Sequence, residues 1–317
     1  MTKNIASALR PAPPIGGFQE VDGRRVFVHR LGDGGPAVVF LPGAGAVGLD
    51  YFAVQQGVSQ FRTAVVYDRG GSGYSDPVPL PRTAAEVATE LHGLLRVQHL
   101  AAPYVLVAHS LGGAYAHRFT QLYPQEVAGL VWLDGFHRDW ERFMPAAAAS
   151  HAADPQTASG PEQGRQSRQN HQLQQMQQLR PALYEMFAEL VAHYPQHLRQ
   201  PLIEAHVGDE WLRVGIAERG SLTALAEELR AGPDIPDVPL VALTVEGIDP
   251  GPQSSMPEQT IRAMQEGMGR MAAAMVDRVS FGEHRIVPDV GHNQLCFTRP
   301  DVVVQAVRDV VDRVARA

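Results

Sequence analysis

Five short, uninterrupted apolar runs constrain this chain more than any other feature. They are "AVVFLPG" (37–43), "TAVVYDRGG" (63–71), "YVLVAHS" (104–110), "GLVWLDG" (129–135) and "LVALTVEG" (240–247), and each ends in a loop. A strand with one face in water alternates apolar and polar residues. A run that is apolar at both parities needs cover on both faces, as in a parallel sheet packed between helices. A sixth, weaker run is "HRIVPDVGH" (284–292). Helical patterns separate several of these runs. "TAAEVATELHGLLRVQ" repeats its apolar residues near a 3.6 period, and Thr83 with Glu86 forms a capping box at its start. "GGAYAHRFTQLYP" follows the third run and stops at Pro124. Upstream, "FQEVDGRRVFVHR" reads as a hairpin turning at Asp22-Gly23. The expected class is α/β, with a mostly parallel central sheet flanked by helices.

The pattern changes between residues 136 and 236. An Ala/Ser/Gln/Pro-rich stretch at 145–170 reads as mobile, and helical segments broken at prolines follow it. The organisation expected is an N-terminal arm at 1–16, a core domain from 17–135 and 237–317, and a helical cap at 136–236 inserted after the sixth strand. A later helix carries Met264, Met268, Met271 and Met275 on one face, which reads as a stripe packed on the sheet.

Several function classes are set aside by composition. Net charge is −7 with no long basic run, so nucleic acid is not an expected partner. Cys296 is the single cysteine, which excludes an intrachain disulfide and a cysteine-based zinc site. The 13 histidines lack H-E-x-x-H or related spacing, and no metal or other cofactor is expected. No run of eighteen apolar residues occurs, and the first residues lack the apolar stretch of a leader. A cytoplasmic protein without membrane contact is expected, with a homodimer as the candidate assembly.

The loop after the first apolar run spells Gly43-Ala-Gly45-Ala-Val-Gly48, a G-x-G-x-x-G pattern, with Asp68 twenty residues on. That invites a dinucleotide reading. A stronger signal competes with it. In "VLVAHSLGGAYA" a strand ends and Ser110 stands in the turn between small residues, Ala108 before it and Gly112 and Gly113 after it. A nucleophilic serine needs such a tight turn to expose its Oγ, and bulky neighbours would collide there. It also needs a base and a group to orient that base. His292, at the end of the last run and before the C-terminal helical pattern, is the candidate base. Asp249, after "LVALTVEG", is the preferred acid, giving the chain order Ser–Asp–His. Asp134, ending "GLVWLD", is its rival, and Glu246 a third choice. His109 reads as a packing residue of the turn. The glycine loop then finds a use without a nucleotide. The Ala44 and Leu111 N–H groups are the expected oxyanion donors.

Together "LPGAGAVG", "YDRGGSGYSDP", "AHSLGGAYAHRFTQLYPQEVAGLVWLD", "VEGIDP" and "DVGHNQLCFTRPDVV" resemble the α/β-hydrolase superfamily, over about residues 18 to 135 and 237 to 315. The sequence departs from the common pattern at "LPG", where many members have His-Gly, and at Ala108, where many have Gly. Serine at 110 separates it from the dehalogenase and epoxide-hydrolase branches, whose nucleophile is a carboxylate. The resemblance implies a serine hydrolase acting on a small-molecule ester or lactone. Phe136, Trp140, Tyr184, Phe187 and Trp211 of the cap are candidates to line the substrate pocket. An amidase, an aminopeptidase using Glu185 or Glu189, or a carbon–carbon hydrolase would use the same residues. A ligand receptor on this fold is the non-enzymatic alternative.

Overall fold

The computed structural model of the protein describes residues 12–145, 162–250 and 256–316. The N-terminal arm and most of the Ala/Ser/Gln/Pro-rich stretch fall largely outside them. The chain begins with the hairpin β1 (Gly17–Val21) and β2 (Arg24–Leu31), whose turn residues Asp22 and Gly23 both have positive φ, 47° and 74°. That is the backbone a two-residue hairpin turn asks for. Next come β3 (Val38–Leu41), α1 (Phe52–Val58), β4 (Ala64–Tyr67), α2 (Ala84–Val97), β5 (Tyr104–His109), α3 (Gly112–Leu122) and β6 (Val127–Leu133). The helices α4 (Glu162–Gln178), α5 (Arg180–Leu190), α6 (Gln196–His206), α7 (Asp209–Arg219) and α8 (Leu222–Arg230) follow. The core resumes with β7 (Leu240–Val245), α9 (Glu258–Val276), β8 (Gly282–Val287), α10 (Leu295–Thr298) and α11 (Pro300–Val314).

The strands form one sheet in the order β1-β2-β4-β3-β5-β6-β7-β8, parallel from β4 onward and antiparallel at the β1 and β2 edge. The continuous apolar runs are explained by burial on both sides. Val39 and Leu41 of β3 face one helical layer, and Val38 and Phe40 face the other, all fully buried. The first layer packs α2, α3, α8 and α9 on the sheet, and the second packs α1 and α11. The α2 capping box forms as its sequence predicts, with the Thr83 N–H donating to Glu86 Oε2 at 2.8 Å and the Glu86 N–H to Thr83 Oγ1 at 3.2 Å. No helix among the described residues is long and apolar enough to cross a membrane.

Parallel strands put their C-terminal ends on one side. There β3, β5, β6 and β7 deliver the 42–45 loop, Ser110, Asp134 and the segment leading to Asp249. The helices between β6 and β7 contribute Phe187, Trp211 and Gly215 to the cavity that opens beside these ends.

Candidate active site

Ser110 directly follows β5 and is held at φ +52°, a left-handed conformation unusual for a residue with a side chain. Its N–H donates to the Leu133 carbonyl at 3.1 Å, and its own carbonyl accepts from Gly113 and Phe136. The small residues after it are sterically required. A Cβ on Gly112 would stand 2.0 Å from the Leu41 carbonyl oxygen, and one on Gly113 would stand 2.3 Å from that of Phe136. Backbone cannot move aside as a flexible side chain does, so the turn tolerates neither.

His292 lies in the loop between β8 and α10. Its Nδ1–H donates to Asp134 Oδ2 at 2.5 Å. This corrects the preference for Asp249 as the orienting acid. Asp249 is buried, but its carboxylate accepts from the Asn293 backbone N–H (2.9 and 3.0 Å) and from Asn293 Nδ2 (2.8 Å). It therefore braces the chain beside His292 and leaves Nδ1 to Asp134. Sheet order allows this pairing, because β6 is the direct neighbour of β5 and Asp134 follows it beside the serine turn. Asp134 follows β6 immediately at φ +45°, a conformation Asp tolerates better than most residues. Its Oδ1 is buried and has no hydrogen-bond partner among the described residues, so the carboxylate is committed to His292 alone. Glu246 is exposed. Burial pulls the His292 pKa down, but the hydrogen bond and charge of Asp134, with help from Asp249, outweigh burial and leave it above the ordinary histidine value. With the proton on Nδ1, Nε2 is the basic nitrogen.

His109 does more than pack the turn. Its Nε2 is 3.0 Å from the His292 carbonyl, an acceptor, so Nε2 carries the proton and Nδ1 accepts from Tyr51 Oη at 2.8 Å. Tyr51 Oη in turn accepts from the Gly43 N–H at 3.2 Å. Burial first, and then the nearby His292, push the His109 pKa down to about 3, so the ring stays neutral. This chain of hydrogen bonds ties the glycine loop to the His292 loop beneath Ser110.

The loop itself lies against the serine: a Cβ on Gly43 would come within 3.0 Å of Ser110 Cβ. Among the described residues neither the Ala44 nor the Leu111 N–H has a hydrogen-bond partner, so both amides are free to donate. The loop is clamped by a buried ion pair that sequence reasoning missed. Arg69 donates to the Pro42 carbonyl (3.0 Å), to the Gly43 carbonyl (2.8 Å) and twice to Glu218 of α7 (2.6 Å each). Glu218 Oε2 also accepts from the Gly45 N–H at 2.8 Å. Asp68 accepts from the Gly48 and Tyr74 N–H groups and is 1% exposed, which removes it as a ribose contact and makes it a brace of the turn.

Beside these groups lies a cavity of about 590 Å³, with Ala44, His109, Asp134, Asp249 and His292 in its wall. Of the five aromatic candidates, Phe187 and Trp211 line it. The other three do not. Phe136 and Trp140 pack against each other, rings tilted, in the core beside α3, and Tyr184 reaches outward to Gln200. The methionine stripe divides. Met271 and Met275 pack on the sheet as expected, while Met264 and Met268, nearer the start of α9, line the cavity with Met144, Met176 and Met186. Glu185 and Glu189 are exposed and lie outside the cavity wall, which removes the carboxylates an aminopeptidase would need.

Residues 38–306 match the alpha/beta hydrolase family. RutD of Cronobacter turicensis, a carbamate hydrolase by provisional name, is 35% identical over 104 residues, 32% of this chain and 39% of that protein. The chain thus aligns with well under half the length of that relative. Among solved structures, Cfl2 of Burkholderia cenocepacia superposes with a TM-score of 0.66 at 21% identity, covering 92% of this chain and 94% of that one. A thermophilic esterase of Thermogutta terrifontis gives 0.57 at 19% identity, covering 94% and 97%. The two structural likenesses extend over most of the chain.

Proposed function

This chain belongs to the α/β-hydrolase family, and from that premise we propose that it is a serine hydrolase cleaving an ester or lactone of a small molecule with an apolar body. The observation that carries this reading is the Asp134–His292 hydrogen bond at 2.5 Å, formed where Ser110 is presented on a strained turn against a loop with free amides. Ser110 Oγ attacks the carbonyl carbon while His292 Nε2 takes its proton. Asp134 keeps the other imidazole proton on Nδ1 and offsets the positive charge that develops on the ring. The Ala44 and Leu111 N–H groups receive the oxyanion. When the tetrahedral adduct collapses, the C–O bond to the leaving group breaks and Nε2 returns the proton to the departing alcohol. Water then repeats the sequence on the acyl-serine, with His292 first as base and then as acid. The methionines and aromatics of the wall fit an apolar body of varied shape, since Met adapts to irregular surfaces.

The provisional name of the RutD relative brings in a carbamate, which the same residues would attack at its carbonyl. A panel of p-nitrophenyl esters, lactones, carbamates and amides, turned over by wild type and by Ser110→Ala, tests the reading. Ester or lactone turnover that disappears in the variant is expected. Preference for an amide or carbamate would move the substrate class. Equal turnover by both proteins would remove Ser110 from the mechanism.

A further inference from the structure

Arg219, the last residue of α7, is a charged group in the cavity wall to which the scheme above gives no task. The other ionisable wall residues that carry a formal charge or share a proton are occupied. Asp50 binds His206 and the Val47 N–H, Asp134 binds His292, and Asp249 binds Asn293. Arg219 is solvent-accessible and, among the described residues, makes no ion pair and no hydrogen bond. Its neighbour Glu218 acts on it only through its field, because both Glu218 oxygens are engaged by Arg69 and Gly45.

The guanidinium lies against two glycines. It folds back over Gly215, one turn earlier in α7: a Cβ there would stand 3.0 Å from Nη1. A Cβ on Gly45 would stand 3.7 Å from Nη2. The absence of side chains at both positions lets α7 approach the 43–45 loop backbone to backbone and leaves the planar fork beside it. The guanidinium therefore stands one residue past the Ala44 N–H. The rest of the wall is largely apolar, so the unpartnered guanidinium is free to receive an anion bound in the cavity.

We propose that Arg219 is the recognition site for a carboxylate carried by the substrate, so that this hydrolase acts on esters or lactones bearing an acid group close to the scissile carbonyl. The inference rests on the hydrolase reading and adds to it the charge of the substrate. A planar guanidinium matches a carboxylate in two parallel hydrogen bonds, which a neutral ester cannot supply. The carboxylate would anchor the acyl part beside the oxyanion loop while the apolar part lies along Met264, Met268 and Trp211.

The test compares the monomethyl esters of succinic, glutaric and adipic acid with methyl butanoate, pentanoate and hexanoate, followed by pH-stat. The wild type should prefer the acid-bearing member of at least one chain-matched pair. In Arg219→Met the ratio of the two kcat/KM values should fall on the order of ten- to a hundredfold, the size of one charge-assisted interaction, and Arg219→Lys should recover part of it. A second arm measures the melting temperature of Ser110→Ala, with and without glutarate. Stabilisation that is lost in Ser110→Ala/Arg219→Met is expected. Turnover that falls equally for both members of each pair would make Arg219 a general oxyanion stabiliser and overturn the proposal. So would a wild type without preference and without stabilisation by glutarate. If neither ester class were hydrolysed, the hydrolase reading would fail, and the glutarate arm would still decide the arginine.

Discussion

Replacing Asp134 by Asn separates the two candidate acids. Asn is as much at home as Asp at φ +45°, so the backbone turn and the Asp134 N–H bond to the Leu243 carbonyl (2.7 Å) survive. The negative charge facing His292 does not. Asp134 has a side chain only 7% exposed, and its 2.5 Å bond is thus a desolvated, charge-assisted one. An amide that presents its NH2 group to Nδ1 moves the imidazole proton to Nε2, the nitrogen that must accept the serine proton. The loss expected of such a swap in a Ser-His-Asp set is on the order of 10⁴ in kcat, about 5 kcal/mol of transition-state stabilisation. Asp249→Asn disturbs a brace of the loop instead. It weakens the contacts to Asn293, with a stability cost of about 1–3 kcal/mol and a kcat that stays within roughly tenfold of wild type. The assay is steady-state ester hydrolysis by both variants at a temperature where thermal melts show each fully folded. A loss of several orders of magnitude in Asp249→Asn, with Asp134→Asn near wild type, would refute the assignment.

The pH profile should carry the same signature. His292 titrates above the ordinary histidine value and must be deprotonated to act, so kcat/KM should fall as pH drops through its raised pKa. Removing the Asp134 charge lowers that pKa and should shift the acid limb of Asp134→Asn towards lower pH. Removing the Arg219 charge, which opposes protonation of His292, should shift the limb of Arg219→Met upward. Glu218→Gln leaves the buried Arg69 guanidinium without its counter-charge and should destabilise the fold by about 3–5 kcal/mol, read as a lower melting temperature. Gly45→Ala combines φ +71° with a Cβ 3.1 Å from Gly215 Cα. It should cost on the order of 1–2 kcal/mol from backbone strain alone and lower kcat by displacing the oxyanion loop.

The fold was legible because its signal is local. Runs such as "VVFL" and "LVALTV" are apolar at both parities, and only a sheet covered on both faces satisfies them. The turn that presents Ser110 was legible because it leaves no room for a Cβ at Gly112 or Gly113, and that constraint is written as glycines. The partner of His292 was not legible. Asp134 and Asp249 each follow a buried strand, and nothing in the sequence says that Asn293 occupies the Asp249 carboxylate. The substrate pocket was read only in part, since aromatic identity does not fix direction: Trp140 turns into the core and Trp211 into the cavity. The Arg69–Glu218 clamp joins residues 149 positions apart and left no periodicity to find. Arg219 was equally silent, because a cation at a helix end is ordinarily a solvated capping charge.

In the proposed mechanism Ser110 is the nucleophile and His292 activates it. A fluorophosphonate probe reacts with an activated serine, and peptide mass spectrometry locates the adduct. One label per chain on Ser110, formed in step with the loss of ester hydrolysis and nearly absent in His292→Ala, is the predicted result. Active protein that remains unlabelled, or that carries the label elsewhere, would contradict the account.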